Sequence, residues 1–356
     1  MRLCTPQPAR HASPTVKAQA LAYLLFERPD LDRAERFLID FGLVVALRTD
    51  DAMYLRAAVG TPYCYVIRQA PRPRFVGIGL ALGSHADLLR IAGLPGASAV
   101  EPVHGPGGGE RVRLLDPSGF VVEAVYGCAE TPGLPRRAAM ALNTADAQPR
   151  VNTTQRPPIH APQVVKLGHV VLEVADFQAT SAWYSEHFGF VPSDVQLLPD
   201  GSPAVVFMRL NLGDTPTDHH TLAIAQGIGP EFSHAAFELV DVDAVGVGER
   251  VLRERGWTHA WGIGRHILGS QVFDYWCDPW GDKHEHYTDG DLLTSDVPMG
   301  QHAVSREAMS QWGPPMPRSF TKPKLTPSRL VQLARTLRTS PDLSVDKIRT
   351  LARLFG

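Results

Sequence analysis

The chain spells one architectural sentence twice. "LAYLLFERPDLDRAERFLIDFGL" (21–43) and "LGHVVLEVADFQATSAWYSEHFGF" (167–190) each give an apolar strand, an Asp-started helix and a Phe-Gly stop. The segment 75–89, "FVGIGLALGSHADLL", likewise pairs with 232–246, "FSHAAFELVDVDAVG". "LLDPSGFVVEAVYG" pairs with "WCDPWGDKHEHYTD", and each carries a Glu seven residues after its Asp (Asp116 to Glu123, Asp278 to Glu285). Repetition on this scale constrains architecture more than local propensity does. The chain is a duplicated domain, and each copy holds two strand–helix–strands units. One helix over a mostly antiparallel sheet makes the class α+β, and the paired sheets predict an open barrel around a polar cleft.

The repeats divide the chain into an N-terminal extension (1–17), a first copy (18–128), a linker (129–165), a second copy (166–298) and a tail (299–356). The linker is rich in Pro, Thr, Asn and Ala and has no sustained periodicity. In the Pro-rich tail, Thr326 reads as an N-cap with Pro327 at the first helical position and Leu330, Leu333, Ala334 and Leu337 on one face. Nine Lys and Arg against two Asp from Arg318 onward leave a local charge of +7, which reads as a solvated face or subunit contact rather than a nucleic-acid site.

Composition removes several function classes. A net charge of −2 gives no reason to expect nucleic acid or a membrane as partner. No apolar run reaches the length of about 18 residues that spans a bilayer, and the N-terminus lacks the apolar core of a signal peptide. Cys4, Cys64, Cys128 and Cys277 are scattered without CxxC spacing, which argues against a disulfide framework and a thiolate metal site. A cytoplasmic, reduced location is the expectation.

Strict alternation in "GHVVLEV" puts His169, Val171 and Glu173 on one strand face, and "SHAAFEL" places His234 with Ala236 and Glu238. A single strand histidine is more often a hydrogen-bonded structural residue than a ligand. The repeat supplies an internal control: the first copy has Tyr23 where the second has His169, and Gly77 where it has His234, yet keeps Glu123 at the place of Glu285. Histidines needed for folding would be needed in both copies, so these serve something only the second copy does. Two imidazoles and a carboxylate on neighbouring strands suit a divalent metal with open positions, either non-haem Fe(II) or a hydrolytic Zn²⁺.

His266, Tyr275 nine residues on, the turn "DPWG" and Glu285 ten residues after the tyrosine resemble the fingerprint of the type I extradiol ring-cleaving dioxygenases of the vicinal oxygen chelate superfamily. The upstream stretch "HHTLAIAQ" extends the resemblance, which covers roughly 20–292. It implies βαβββ modules, with His169, His234 and Glu285 as ligands of Fe(II), Mn(II) being the less favoured metal. It also implies that His220 is an acid/base and that His266 and Tyr275 hydrogen-bond the oxygens of a catechol opened by O₂. A homo-oligomer is implied as well. Two departures stand out: Ser233 precedes the ligand His234 where many members have a second histidine, and Gly269 occupies a position where biphenyl-type members often carry Asp.

Two rivals are weighed. A glyoxalase-like isomerase or lyase generally uses four protein ligands, and the strand that would carry the fourth reads "TLAIA". A metal-free binding protein of the same fold has no use for His220, His266 and Tyr275 around three ligands. His284 and His286 flank Glu285, so alternation sends both away from the metal, as outward polar residues.

Overall fold

The computed structural model describes residues 5–321 and 326–355; Cys4, and Lys322 and Lys324 of the basic tail, fall outside them. In the first copy the strands are β1 (Ala18–Arg28), β2 (Val44–Arg48), β3 (Ala52–Arg56), β4 (Tyr65–Gln69), β5 (Arg74–Leu82), β6 (Glu101–Pro102), β7 (Glu110–Leu115) and β8 (Val121–Tyr126). Helices α1 (Leu31–Phe41) and α2 (His85–Ala92) follow the first strand of each unit. The second copy runs β9 (Val164–Val174), α3 (Phe177–Phe188), β10 (Val191–Leu197), β11 (Pro203–Arg209), β12 (Thr217–Asp218), β13 (Leu222–Gln226) and β14 (Glu231–Leu239). It continues with α4 (Val242–Glu254), β15 (Thr258–Arg265), β16 (Val272–Cys277), β17 (Lys283–Thr288) and β18 (Leu292–Leu293). The tail adds β19 (Gly300–Ala303), α5 (Arg318–Thr321), α6 (Pro327–Thr339) and α7 (Val345–Phe355).

Each copy is therefore two βαβββ units, joined side by side through their first strands. β1 pairs antiparallel with β5 and β9 with β14, giving sheets ordered β2-β3-β4-β1-β5-β8-β7-β6 and β15-β16-β17-β14-β9-β13-β11-β10-β19. Each sheet curls into a half-barrel. The Asp-start and Phe-Gly stop act as read: Asp30 accepts from the Arg33 N–H, and Gly42 ends α1 at φ 109°. A Cβ at Gly42 would also meet the Pro162 carbonyl oxygen at 1.9 Å, so the chain passes there only because the residue is glycine.

The copies share one apolar core. Phe26 and Phe41 of the first meet Phe232 and Phe237 of the second, and Phe37 meets Trp257. Buried Arg28 reaches across to Asp278 (2.9 Å) and Asp282 (2.7 Å). Residues 127–163 carry no helix or strand. α6 begins at Pro327 with the Thr326 side chain accepting from the Arg329 N–H. The tail also joins the fold: β19 extends the second copy's sheet by pairing parallel with β10. No helix among the described residues is long and apolar enough to cross a membrane.

Candidate metal centre and active site

Sheet register builds the site. On adjacent strands β9, β14, β17 and β16, the residues His169, Ala236, Glu285 and Tyr275 stand directly opposite one another. His234, two residues before Ala236, shares its face. Alanine in the middle of the row leaves the space that the longer side chains around it point toward. One nitrogen from each of His169 and His234 and a Glu285 oxygen fall within 4.8 Å of one another. The His169 and His234 Nε2 atoms lie 3.3 and 3.4 Å from the same Glu285 Oε2.

These three side chains fit a metal ion. Glu285 is fully buried, yet neither carboxylate oxygen makes a hydrogen bond. An unsolvated, unbonded carboxylate is strongly unfavourable unless a cation meets it. Two ligands about 2.1 Å from one octahedral ion and at right angles to each other stand about 3 Å apart, close to the spacing seen. Burial would raise the Glu285 pKa, but the neighbouring imidazoles of His169, His266 and His234 hold it well below the usual carboxylate range.

His220, His266 and Tyr275 converge on the same cavity, of about 610 Å³, which His169 and His234 also line. The buried His220 ring packs 4.0 Å from that of His169, and burial, then the crowd of imidazoles, pushes its pKa well down. His266 Nδ1 lies 2.7 Å from the Met309 carbonyl oxygen, which can only accept, so the ring carries its hydrogen there. In the neutral ring, Nε2 then accepts from the Tyr275 hydroxyl at 2.9 Å. Met309 belongs to the tail, and so do Met316, Phe320, Ile348 and Leu351 of the cavity wall. The sequence carries no signal of this segment's part in the site, because a main-chain carbonyl and scattered apolar residues leave no motif.

His284 and His286 require a correction. Alternation does send them to the face opposite Glu285, but not outward to water: both are fully buried between the two copies. His284 Nε2 lies 3.0 Å from the Tyr65 hydroxyl, while His286 stacks 3.8 Å over Phe41 and bonds its carbonyl oxygen at 2.7 Å. Burial pushes both imidazoles down to about 4, so they are neutral packing groups. The back of β17 is covered by the first copy rather than by solvent.

The first copy repeats the row register for register, as Tyr23, Gly79, Glu123 and Arg113. Tyr23 donates to Glu123 at 2.6 Å, and its ring lies where a Cβ on Gly79 would come within 2.5 Å of it. Arg111 Nη1 sits 3.2 Å from the other Glu123 oxygen. The carboxylate is thus satisfied by protein groups and the space beside it is filled.

Residues 166–283 match the model of the Glyoxalase/Bleomycin resistance protein/Dioxygenase superfamily. The chain is 30% identical over 315 residues to metapyrocatechase 2 of Cupriavidus necator, covering 87% of this chain and 94% of that protein. It is 27% identical over 314 residues to the iron-dependent extradiol dioxygenase of Rhodococcus jostii (strain RHA1), covering 83% and 96%. Among solved structures, the Mn(II)-bound glyoxalase from Novosphingobium aromaticivorans shares the fold at a TM-score of 0.72 and 24% identity, over 88% of this chain and 97% of that one. That fold accommodates more than one chemistry, and the two sequence relatives, with most of both chains aligned, decide between them. The chain belongs to the extradiol ring-cleaving dioxygenases of the glyoxalase/bleomycin resistance protein/dioxygenase superfamily.

Proposed function

We propose that this enzyme holds Fe(II) on His169, His234 and Glu285 and opens a catecholic ring beside its two hydroxyls, inserting both atoms of O₂. The observation that carries the ligand assignment is the buried Glu285 carboxylate, unbonded and facing two histidine nitrogens. Fe(II) held by these three residues would supply Lewis-acid and one-electron redox chemistry for the reaction of a catechol with O₂.

The chain's own groups do the rest. His220, on the cavity wall, is the base that receives a hydroxyl proton and the acid that returns one. Tyr275 gives its hydrogen to His266, so its oxygen lone pairs remain for a substrate hydroxyl. Val171, Ala204, Phe207, Met316, Phe320 and Leu351 give the cavity an apolar wall, and the tail segments shield it from water. At about 610 Å³ it has room well beyond one aromatic ring. The substrate class this favours is a catechol bearing an apolar substituent or a second ring.

The reading includes a homo-oligomer working in the cytoplasm without nucleic acid or membrane. A near-neutral net charge of −2 supports the partner assignment, and exposed Leu330 and Val331 on α6 support self-association. The test is anaerobic reconstitution with Fe(II), then O₂ uptake over catechols of increasing substituent size. Coloured ring-fission product is expected, with kcat/KM highest for the bulky apolar members; no uptake with any catechol defeats the reading.

A further inference from the structure

We propose that Asp194 and His219 are positioning residues that hold His220 in its Nδ1–H form, leaving Nε2 as the nitrogen that works in the cavity, and that tail strand β19 completes the device through His302. The inference rests on the proposed role of His220.

Four side chains form one hydrogen-bonded line. His220 Nδ1 lies 3.0 Å from His219 Nδ1, and His219 Nε2 lies 2.7 Å from Asp194 Oδ2. The other oxygen of Asp194, Oδ1, lies 2.7 Å from His302 Nε2. Burial would raise the Asp194 pKa, but the bonds from His219 and His302 hold it below its ordinary value, so it is a carboxylate and can only accept. A neutral His219 that gives its Nε2 hydrogen to Asp194 has a lone pair at Nδ1. In that tautomer of His219 the hydrogen between the two rings, whose Nδ1 atoms lie 3.0 Å apart, comes from His220 Nδ1, and His220 Nε2 is left bare.

The surroundings are shaped for this line. The His219 main chain is pinned at both ends, its N–H on the Asp291 carbonyl (2.8 Å) and its carbonyl on the Ser193 hydroxyl (2.5 Å). A Cβ at Gly300 would come within 2.0 Å of Asp194 Oδ1 and 2.7 Å of His302 Nε2, so glycine there admits the tail's contact. Gly269, at φ +85°, faces His219 Nδ1, 3.1 Å from where its Cβ would stand. A larger residue at the position that carries Asp in biphenyl-type members would press on this histidine pair. β10 and β19 pair parallel with Gln196 opposite His302, which brings the tail histidine beside Asp194. The His302 side chain is 42% exposed, so the line runs from the buried site to the surface.

An orienting carboxylate of this kind selects the tautomer of a working imidazole; exchanging it for an amide in a serine-protease triad lowers kcat by about 10⁴ while the geometry stays. Here Asp194 acts one ring further away, and a loss of about 10- to 100-fold is expected for Asp194→Asn. The full chain, labelled with ¹⁵N-histidine and loaded with diamagnetic Zn(II), gives the tautomer directly by long-range ¹⁵N–¹H correlation. His220 is identified by the signal missing from His220→Phe. The expected result is Nδ1–H in the wild type and a shift toward Nε2–H in Asp194→Asn, with KM and iron content kept and Asp194→Glu restoring part of kcat. His302→Ala, at an exposed site that does not threaten folding, is expected to lose about two- to fivefold in kcat. Nε2–H at His220 in the wild type overturns the inference whatever the variants do. So does an Asp194→Asn protein with unchanged tautomer and kcat, while an unaltered His302→Ala removes β19 from the device. The tautomer reading needs no turnover, so it can fail while catechol cleavage stands, or hold while cleavage fails.

Discussion

The two copies place the same carboxylate at the same register and use it for opposite ends. In the first, Glu123 accepts from Tyr23 and faces Arg111, a closed set that satisfies its charge within the protein. In the second, Glu285 faces two histidine nitrogens and forms no hydrogen bond at all. Strand order and pairing are equivalent, so the sheet alone does not distinguish the two faces. The difference lies in the side chains on that face: the first copy has tyrosine in place of His169 and glycine in place of His234, and Arg111 beside its carboxylate. A fold of this kind offers a place for chemistry, and whether chemistry occurs depends on whether the place is filled.

The sharpest way to break that comparison is His234→Ala. It should abolish iron retention, measured as metal per chain after desalting, and with it all ring cleavage, while the thermal midpoint of the metal-free protein barely moves. His220→Phe comes next: full iron content with turnover slower by about 10²-fold or more, read in steady-state O₂ uptake. Phe320→Ala tests whether the tail belongs to the second copy's site, since its ring packs 4.9 Å from that of Tyr275. It should raise KM about tenfold for a bulky catechol, the equivalent of some 1.4 kcal/mol of lost apolar contact, and leave iron unchanged. The smallest effect belongs to the filled copy. Tyr23→Phe leaves Glu123 with one donor fewer and should cost about 1–3 kcal/mol in denaturant unfolding, with iron content and kcat untouched. A drop in either would show that the first copy is not inert. Gly77→His should create no second iron site, because even its Cβ would lie 1.8 Å from the Val121 carbonyl oxygen.

The duplication, the α+β units and the convergence of His169, His234 and Glu285 were legible because each leaves a periodic trace: strand alternation fixes a face, and the repeat fixes the register. What covers a face leaves none. Alternation gives the correct side of β17 for His284 and His286 but not its cover, since nothing in "DKHEHYTD" announces that Phe26, Phe37 and Phe41 lie against it. The partners that orient the working groups were hidden for a different reason. His302 meets Asp194 across 108 residues, and Met309 acts on His266 through its carbonyl, which every residue possesses.

One strand, β17, carries Glu285 toward the cavity and two imidazoles into the seam between the copies. Deleting the copy without a metal row would strip aromatic cover from His284 and His286 and leave an apolar flank facing water directly behind the ligand. The first copy, whose row holds Tyr23 and Glu123, is therefore needed as a wall even without a metal row of its own. One strand serving both the cavity and the seam makes the two halves a single structural unit.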